Sequence, residues 1–128
     1  MSRIASTTDD VDDVATVRRA AHEYERCLVI GDGAAAAAFF LDATTVSRFG
    51  PEGAQFGPTA VRRLRTASPA VAEPEWLHDE ARPVGPGVVL HLALLRRGDA
   101  VVQRTQVWTR VGERWHIAHA HVSRVEVP

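Results

Sequence analysis

AVVQRTQVWTRVGERWHIAHAHVSRV, residues 100 to 125, decides the fold. Two runs rich in Val, Thr, Trp and Ile flank Gly112-Glu113, and a Gly-X pair suits a two-residue hairpin turn. With that turn Val111 pairs with Arg114. Counting backward then brings Gln106 beside His119, Arg104 beside His121 and Val102 beside Ser123. Strand alternation places Arg104, Gln106, Trp108, Trp115, Ile117, His119, His121 and Ser123 on one face. That face has an apolar end of two Trp and one Ile, and a polar end of Arg, Gln, two His and Ser. A solvated face would more often carry Lys and Glu. The pattern points to the floor of a ligand pocket; a mixed dimer interface, where Trp and Arg are also common, is the competing reading.

The totals frame this hairpin. A chain of 128 residues suits one domain with one modest core, so residues 1–128 read as a single domain with 1–8 a flexible end. Apolar residues make up 45% and charged residues 24%, the balance of a soluble globular protein. A formal net charge of −1 gives no basic footprint for nucleic acid or an anionic membrane surface. Cys27 is the one cysteine, which forbids an internal disulfide and fits a reducing compartment. No apolar run approaches the roughly 20 residues of a membrane span, and the N-terminus lacks an apolar signal core, so the expected location is the cytoplasm.

Upstream of the hairpin the pattern turns helical. Asp9-Asp10 can cap a helix, and Val14, Val17, Ala21, Tyr24 and Leu28 recur at helical spacing, so residues 10–30 read as one amphipathic helix with Tyr24 on its buried stripe. Gly31-Asp32-Gly33 stops it, and Asp32 can cap a short helix running through the Ala run to Phe40. Thr44–Phe49 reads as a strand ending in Gly50-Pro51, with Phe56 in a short returning strand. Thr59 to about Thr66 reads as a third helix with Val61, Leu64 and Arg65 inward. Trp76–Val84 and the strongly apolar Val88–Leu95 are further strands before the hairpin. The order predicts an α+β fold, a curved antiparallel sheet with about three N-terminal helices on one face. Such a cone encloses the default location for a small-molecule site.

Several local patterns carry a family resemblance: Tyr24-Glu25-Arg26-Cys27-Leu28, Arg48-Phe49-Gly50, Gly57 with Ala60-Val61, Arg65, Gln106 with Trp108, and Trp115 through Ser123. On these residues the chain resembles the nuclear-transport-factor-2-like (cystatin-like cone) superfamily, with its SnoaL-like proteins, and within it the AtzH-like family that includes the oxalurate-catabolism protein HpxZ. The pattern departs from that family at Arg104-Thr105-Gln106, where Gln-Ser-Gln is usual, and at Glu52, Leu64 and Ser68. The first departure adds a cation to the proposed pocket face. The resemblance implies decarboxylating or amidohydrolytic chemistry on small carboxylated ureas, often alongside an amidase, and a homodimer using the outer sheet face.

The candidate residues follow. Arg48, at the end of a strand, suits bidentate carboxylate binding; a structural ion pair with Glu23 or Glu52 is the alternative. Tyr24 could donate a proton or hydrogen bond to a ligand, or could be a core Tyr bonded to backbone. His121 could transfer a proton near neutral pH. Gln106, His119 and Ser123 could fix polar atoms, and Arg104 beside Arg48 would favour a dianion, unless Arg104 belongs to an interface or rim. His119 and His121 also form a weak metal pattern, but no Cys or carboxylate lies close in sequence to complete it, so no metal and no cofactor is expected. The expected function is cofactor-free hydrolysis or decarboxylation of a small carboxylated amide or urea, with Tyr24, Arg48 and His121 catalytic. A non-catalytic subunit of an amidase and a SnoaL-like isomerase or cyclase remain open.

Overall fold

The computed structural model describes residues 8 to 126, so the expected flexible end lies outside the described residues except for Thr8. Three helices, α1 (Thr8–Ile30), α2 (Gly33–Ala38) and α3 (Pro58–Ala67), pack on one face of a six-stranded curved sheet. The strands are β1 (Ser47–Gly50), β2 (Gly53–Phe56), β3 (Glu75–Gly85), β4 (Val88–Arg97), β5 (Ala100–Val111) and β6 (Arg114–Glu126), arranged β2-β1-β6-β5-β4-β3. This is the expected α+β cone, with one difference. The sheet is not wholly antiparallel, because β1 runs parallel to β6. The connection from β1 to β6 carries the chain through α3 and the three-stranded meander, far more than a tight turn, so a parallel pairing is open to it.

Local chemistry explains the helices. Asp9 and Asp10 sit in the first turn of α1, where negative charge favours the helix N-terminus. Val17, Ala21 and Tyr24 form its buried stripe. Asp32 caps α2, its side chain accepting from the Ala35 amide at 3.0 Å. α2 ends at Ala38, short of the expected Phe40, because Phe40 instead makes a bridge to Ile117. In α3, Val61 and Arg65 are buried and Leu64 is half-buried, the three positions expected inward.

The hairpin turn falls at Gly112-Glu113 and pairs Val111 with Arg114, with Gly112 at φ +63°, a conformation glycine adopts without cost. Pairing runs regularly back to Trp108 opposite Ile117 and then slips by one residue. Ala118 is extra: His119, the second residue past Ile117, pairs with Val107. The expected register is therefore corrected beyond this point. Gln106 lies opposite Ala120, Arg104 opposite Val122, and Val102 opposite Arg124.

The bulge sits where β6 changes partners. Ile117 donates its amide to the Phe39 carbonyl at 2.8 Å and accepts from the Leu41 amide at 2.9 Å, whereas from His119 onward β6 pairs with β1. Because side chains alternate with period two, one extra residue exchanges the faces. His119, His121 and Ser123 therefore turn outward, and Ala120 turns inward with Ile117.

The concave face carries the core. Val89, Trp108, Ile117 and Ala120 meet Val17, Ala21, Tyr24, Ala36, Phe40, Val46 and Val61 in one cluster. Trp108 is fully buried and meets Phe39 edge-on at 6.2 Å. The α2–α3 contact is close at Gly33, where a Cβ would press on the Arg65 carbonyl and approach the Thr66 Cα at 2.7 Å. Backbone on both sides leaves little room to relax. Gly33→Ala, which helix propensity alone would favour, is expected to destabilise the protein by about 1–3 kcal/mol. A urea melt checks this; an unchanged or raised midpoint would mean that α2 and α3 are not in this contact.

Candidate functional site

Strand register lays out the site. His91 on β4 pairs with Gln106 on β5, Gln106 with Ala120 on β6, Ala120 with Arg48 on β1, and Arg48 with Gln55 on β2. These five residues form one transverse row on the concave face. Neighbouring strands are about 4.8 Å apart, so the backbones of His91 and Arg48 are separated by about 14 Å. Between the polar side chains of Gln106 and Arg48 stands only the methyl group of Ala120.

Arg48 is 4% exposed, and its Nη1 donates to Glu52 Oε1 at 3.0 Å and to Gln55 Oε1 at 3.2 Å. The ion pair with Glu52, one of the two partners foreseen, is thus present. Gly50 permits it, since a Cβ there would come within 2.7 Å of both Arg48 Nη1 and Glu52 Oε1. Burial alone would raise the Glu52 pKa, but hydrogen bonds from its backbone and Arg48, with the positive charge of Arg48 and Arg65, hold it below the usual value.

Tyr24 reaches the row from α1. Its hydroxyl oxygen accepts from Arg65 Nη1 at 3.2 Å, so the hydroxyl hydrogen can still be donated. Arg104 lies with its guanidinium carbon 5.5 Å from the centre of the Tyr24 ring. Arg104 is buried, which decides between the pocket-side and rim positions left open by the sequence, but it is not free. Its Nη1 donates to Glu25 Oε1 at 2.8 Å, and Arg97 grips the same carboxylate from Nη1 at 2.6 Å and Nη2 at 3.0 Å. Glu25 therefore stands between two cations, leaving a local excess of one positive charge. Gln106 is fully buried and uses its carbonyl oxygen to accept from Trp108 Nε1 at 3.0 Å.

A second network flanks His91, which is fully buried. Asp79 Oδ1 lies 2.8 Å from His91 Nε2, while Asp79 Oδ2 takes His22 Nε2 at 2.6 Å and Arg18 Nη2 at 3.1 Å. Burial would raise the Asp79 pKa, but these hydrogen bonds outweigh it and hold the carboxyl far below the usual range. Desolvation, the largest influence on His91, pushes its pKa down against the pull of Asp79.

Six buried polar atoms have no partner among the described residues: Arg104 Nε and Nη2, Gln106 Nε2, Arg65 Nε, His91 Nδ1 and His116 Nδ1. Leaving such groups unpaired costs about 1–3 kcal/mol each, so such atoms mark places that a ligand or water can satisfy. Four of the six, on Arg104, Gln106 and Arg65, are obligate donors, which suits an acceptor-rich, anionic occupant. A cavity of about 240 Å³ lies at Arg65 and Glu52, bounded also by Cys27, Leu28 and Ser68.

Of the sequence-derived candidates, Tyr24, Arg48, Arg104 and Gln106 come together on the concave side. His119, His121 and Ser123 do not, because the bulge at Ala118 puts them on the outer face. There Ser47 Oγ lies 2.8 Å from His119 Nδ1, Ser123 Oγ donates to Gln103 Oε1 at 3.1 Å, and Phe49 packs edge-on against His119 and His121 at 4.9 and 5.9 Å. Among the described residues no group of three His, Cys, Asp or Glu side chains is placed to hold a metal ion. His91, Asp79, Glu25, Arg65 and Arg97 were not foreseen as site residues. His91 had a readable signal, as the lone polar residue of VVLHLALL on the face shared with Val89, Ala93 and Leu95. Glu25 had none, since its partners lie 72 and 79 positions away.

The sequence profile of the AtzH-like family matches residues 6–127. No curated protein matches the sequence. Among solved structures, a protein of unknown function from Pectobacterium atrosepticum is 24% identical with a TM-score of 0.82, over 95% of this chain and 100% of that one. A cystatin-like fold protein from Burkholderia xenovorans is 28% identical with a TM-score of 0.82, over 91% and 95%. A candidate dehydratase of the nuclear-transport-factor-2-like family from Streptomyces avermitilis, 18% identical with a TM-score of 0.77 over 93% and 99%, shares the fold.

Two measurements probe the site's electrostatics. Removing the carboxylate with Glu25→Ala strands Arg97 and Arg104 and is expected to cost about 3–5 kcal/mol in a chemical melt; a cost below about 1 kcal/mol would mean the two guanidinium groups reach solvent. Acid is expected to destabilise the fold in two stages. His91, depressed from 6.5, and Asp79, depressed from 3.8, both bind protons more readily in the unfolded chain. Stability is therefore complete above about pH 6.5, falls below that value as unfolded His91 protonates, and falls again as pH drops through the carboxylate range. His91→Gln should flatten the first stage; an unaltered slope would show that His91 does not titrate this way.

Proposed function

Because the chain belongs to the AtzH-like family, we propose that its concave face binds a small carboxylated amide or urea and hydrolyses or decarboxylates it without a cofactor, in cytoplasmic nitrogen catabolism. Family membership and the fold fit a small-molecule-binding or catalytic role, and the finer reading rests on the unpartnered buried donors, Gln106 Nε2 in the row and those of Arg104 and Arg65 outside it. A carboxylate meets Arg48, whose forked guanidinium matches it. The amide or urea carbonyl lies over Ala120 toward Gln106 Nε2. Arg104 supplies a second positive end through the two nitrogens that Glu25 does not use. Tyr24 donates its hydroxyl hydrogen to a ligand oxygen as negative charge develops there.

Arg48→Ala is expected to abolish turnover of N-carbamoylglycine and oxamate, followed by product release, while far-ultraviolet circular dichroism stays that of the parent. Unchanged turnover would sink the assignment of Arg48 as carboxylate anchor.

One observation favours a second role. Phe56 is 71% exposed on the outer face, 5.7 Å from Phe49, at the edge strand β2. An exposed Phe56 against a half-buried Phe49 at a sheet edge suits an interface, with a second copy of the chain or with an amidase. Phe56→Ser is expected to shift a dimer toward monomer in sedimentation velocity, or to release a co-purifying amidase. No change in either would leave the outer face without a partner.

A further inference from the structure

We propose that Glu52 sets the specificity of the Arg48 site: in the free protein its carboxylate occupies the place on Arg48 that a compact carboxylate ligand takes over, so the site admits small carboxylates and turns away neutral amides. This rests on the reading of Arg48 as carboxylate anchor and holds whichever reaction follows. The cavity of about 240 Å³ beside α1 and α3 has neither Arg48 nor Tyr24 in its walls. It meets them through two residues that do line it. Glu52 accepts from Arg48 Nη1 at 3.0 Å, and Arg65 donates from Nη1 to the Tyr24 hydroxyl oxygen at 3.2 Å. Glu52 therefore stands between the cavity and Arg48, and a ligand entering by this cavity reaches Arg48 by displacing it. The volume is below the roughly 300 Å³ at which sites for drug-sized ligands begin, which limits the occupant to a compact one.

The ion pair is lopsided. The Arg48 side chain is 4% exposed and that of Glu52 44%. Arg48 is fixed in β1, whose backbone pairs it with Ala120 on one side and Gln55 on the other. Gln55 Oε1 also accepts from Arg48 Nη1 at 3.2 Å, and Gln55 Nε2 is tied to the Gly53 carbonyl at 3.2 Å. Glu52 lies in the turn between β1 and β2, and its carboxylate is held by Arg48 and by its own backbone. Rotation of the Glu52 side chain toward solvent thus frees one side of Arg48 while Gln55 keeps the guanidinium in place.

Charge decides what can make the exchange. Burial would raise the Glu52 pKa, but hydrogen bonds from its backbone and Arg48, with the positive charge of Arg48 and Arg65, keep it below the usual value, so Glu52 is anionic at neutral pH. A ligand carboxylate replaces one anion by another and leaves the buried Arg48 neutralised. Glu52 engages a single guanidinium nitrogen through Oε1, whereas a free carboxylate can take the fork with both oxygens. A neutral amide brings a carbonyl oxygen but no charge. On displacing Glu52 it leaves a buried cation without a counter-charge, which is the costly arrangement. Arg65, on the same cavity wall, attracts an incoming anion and gives a neutral amide no such advantage.

The test is calorimetric titration of the wild type, Glu52→Gln and Arg48→Ala with oxamate and with oxamide, its neutral counterpart. Glu52→Gln keeps the shape and an acceptor for Arg48 but gives up the charge. With a charge-assisted hydrogen bond no longer competing, it is expected to bind oxamate about 10-fold more tightly than the wild type, with no gain for oxamide. Arg48→Ala is expected to bind no oxamate. Chemical rescue separates exchange at Arg48 from a general loss of negative charge. Glu52→Ala strands Arg48 and should lower the urea midpoint; acetate should restore it, and chloride at equal ionic strength should not. Oxamate binding that Arg48→Ala removes but Glu52→Gln leaves unchanged or weakens would overturn the exchange and leave Arg48 as anchor. So would a Glu52→Ala midpoint that acetate moves no further than chloride. Oxamate binding that survives Arg48→Ala, or none to any form, would overturn both.

Discussion

Ile117 bonds by both its backbone groups to the segment leaving α2, donating to Phe39 and accepting from Leu41, and the rest of the concave face depends on that pair of hydrogen bonds. They align β6 on one side of Ile117. Beyond it the strand must align on β1 instead. One surplus residue, Ala118, reconciles the two registers. The consequence is chemical as well as geometric. The surplus residue removes His119, His121 and Ser123 from the interior and puts Ala120 there, so a methyl group rather than an imidazole stands between Gln106 and Arg48 in the row.

The interior then has to hold buried charge. It does so with arginine, which stays protonated when buried and can share its donors between partners. Glu25 binds Arg97 with both oxygens and Arg104 with one of them; Arg48 is held by Glu52 and Gln55; Arg65 is held by the Tyr24 oxygen. Each of these contacts engages only part of a guanidinium. Such pairs contribute little net stability once desolvation is counted, and breaking one is costly. Their effect is to fix the positions of donors, some of which, Arg104 Nε and Nη2 and Arg65 Nε, have no partner among the described residues. A core filled with Leu and Met would be at least as stable and could bind no anion.

Much of this was legible in the sequence. The hairpin turn, the apolar strand β4, the inward stripe of Tyr24 and the inward Val61 and Arg65 follow from local periodicity, which acts over a few residues. So do the three helices and the cone they close. The bulge was not legible, because Ala118 carries no glycine or proline signature and its cause is a long-range partner change between Phe40 and Ser47. One missed residue sufficed to misplace three candidates, since a period of two forgives no slip. The parallel pairing of β1 and the Glu25 clasp are likewise products of contacts distant in sequence. His91 is a different case: alternation in β4 places it inside, and only its partner Asp79, on the neighbouring strand, lies beyond local reading.

In the proposed function one row, from His91 through Gln106 and Ala120 to Arg48, forms a carboxylate-binding floor. A crystal structure of the protein soaked with N-carbamoylglycine tests it most directly. The expected result is the carboxylate against Arg48, the urea carbonyl over Ala120 and hydrogen-bonded to Gln106 Nε2, and a polar atom at His91 Nδ1. Density for the compound on the outer face at His119 and His121, with the concave row unchanged, would contradict it.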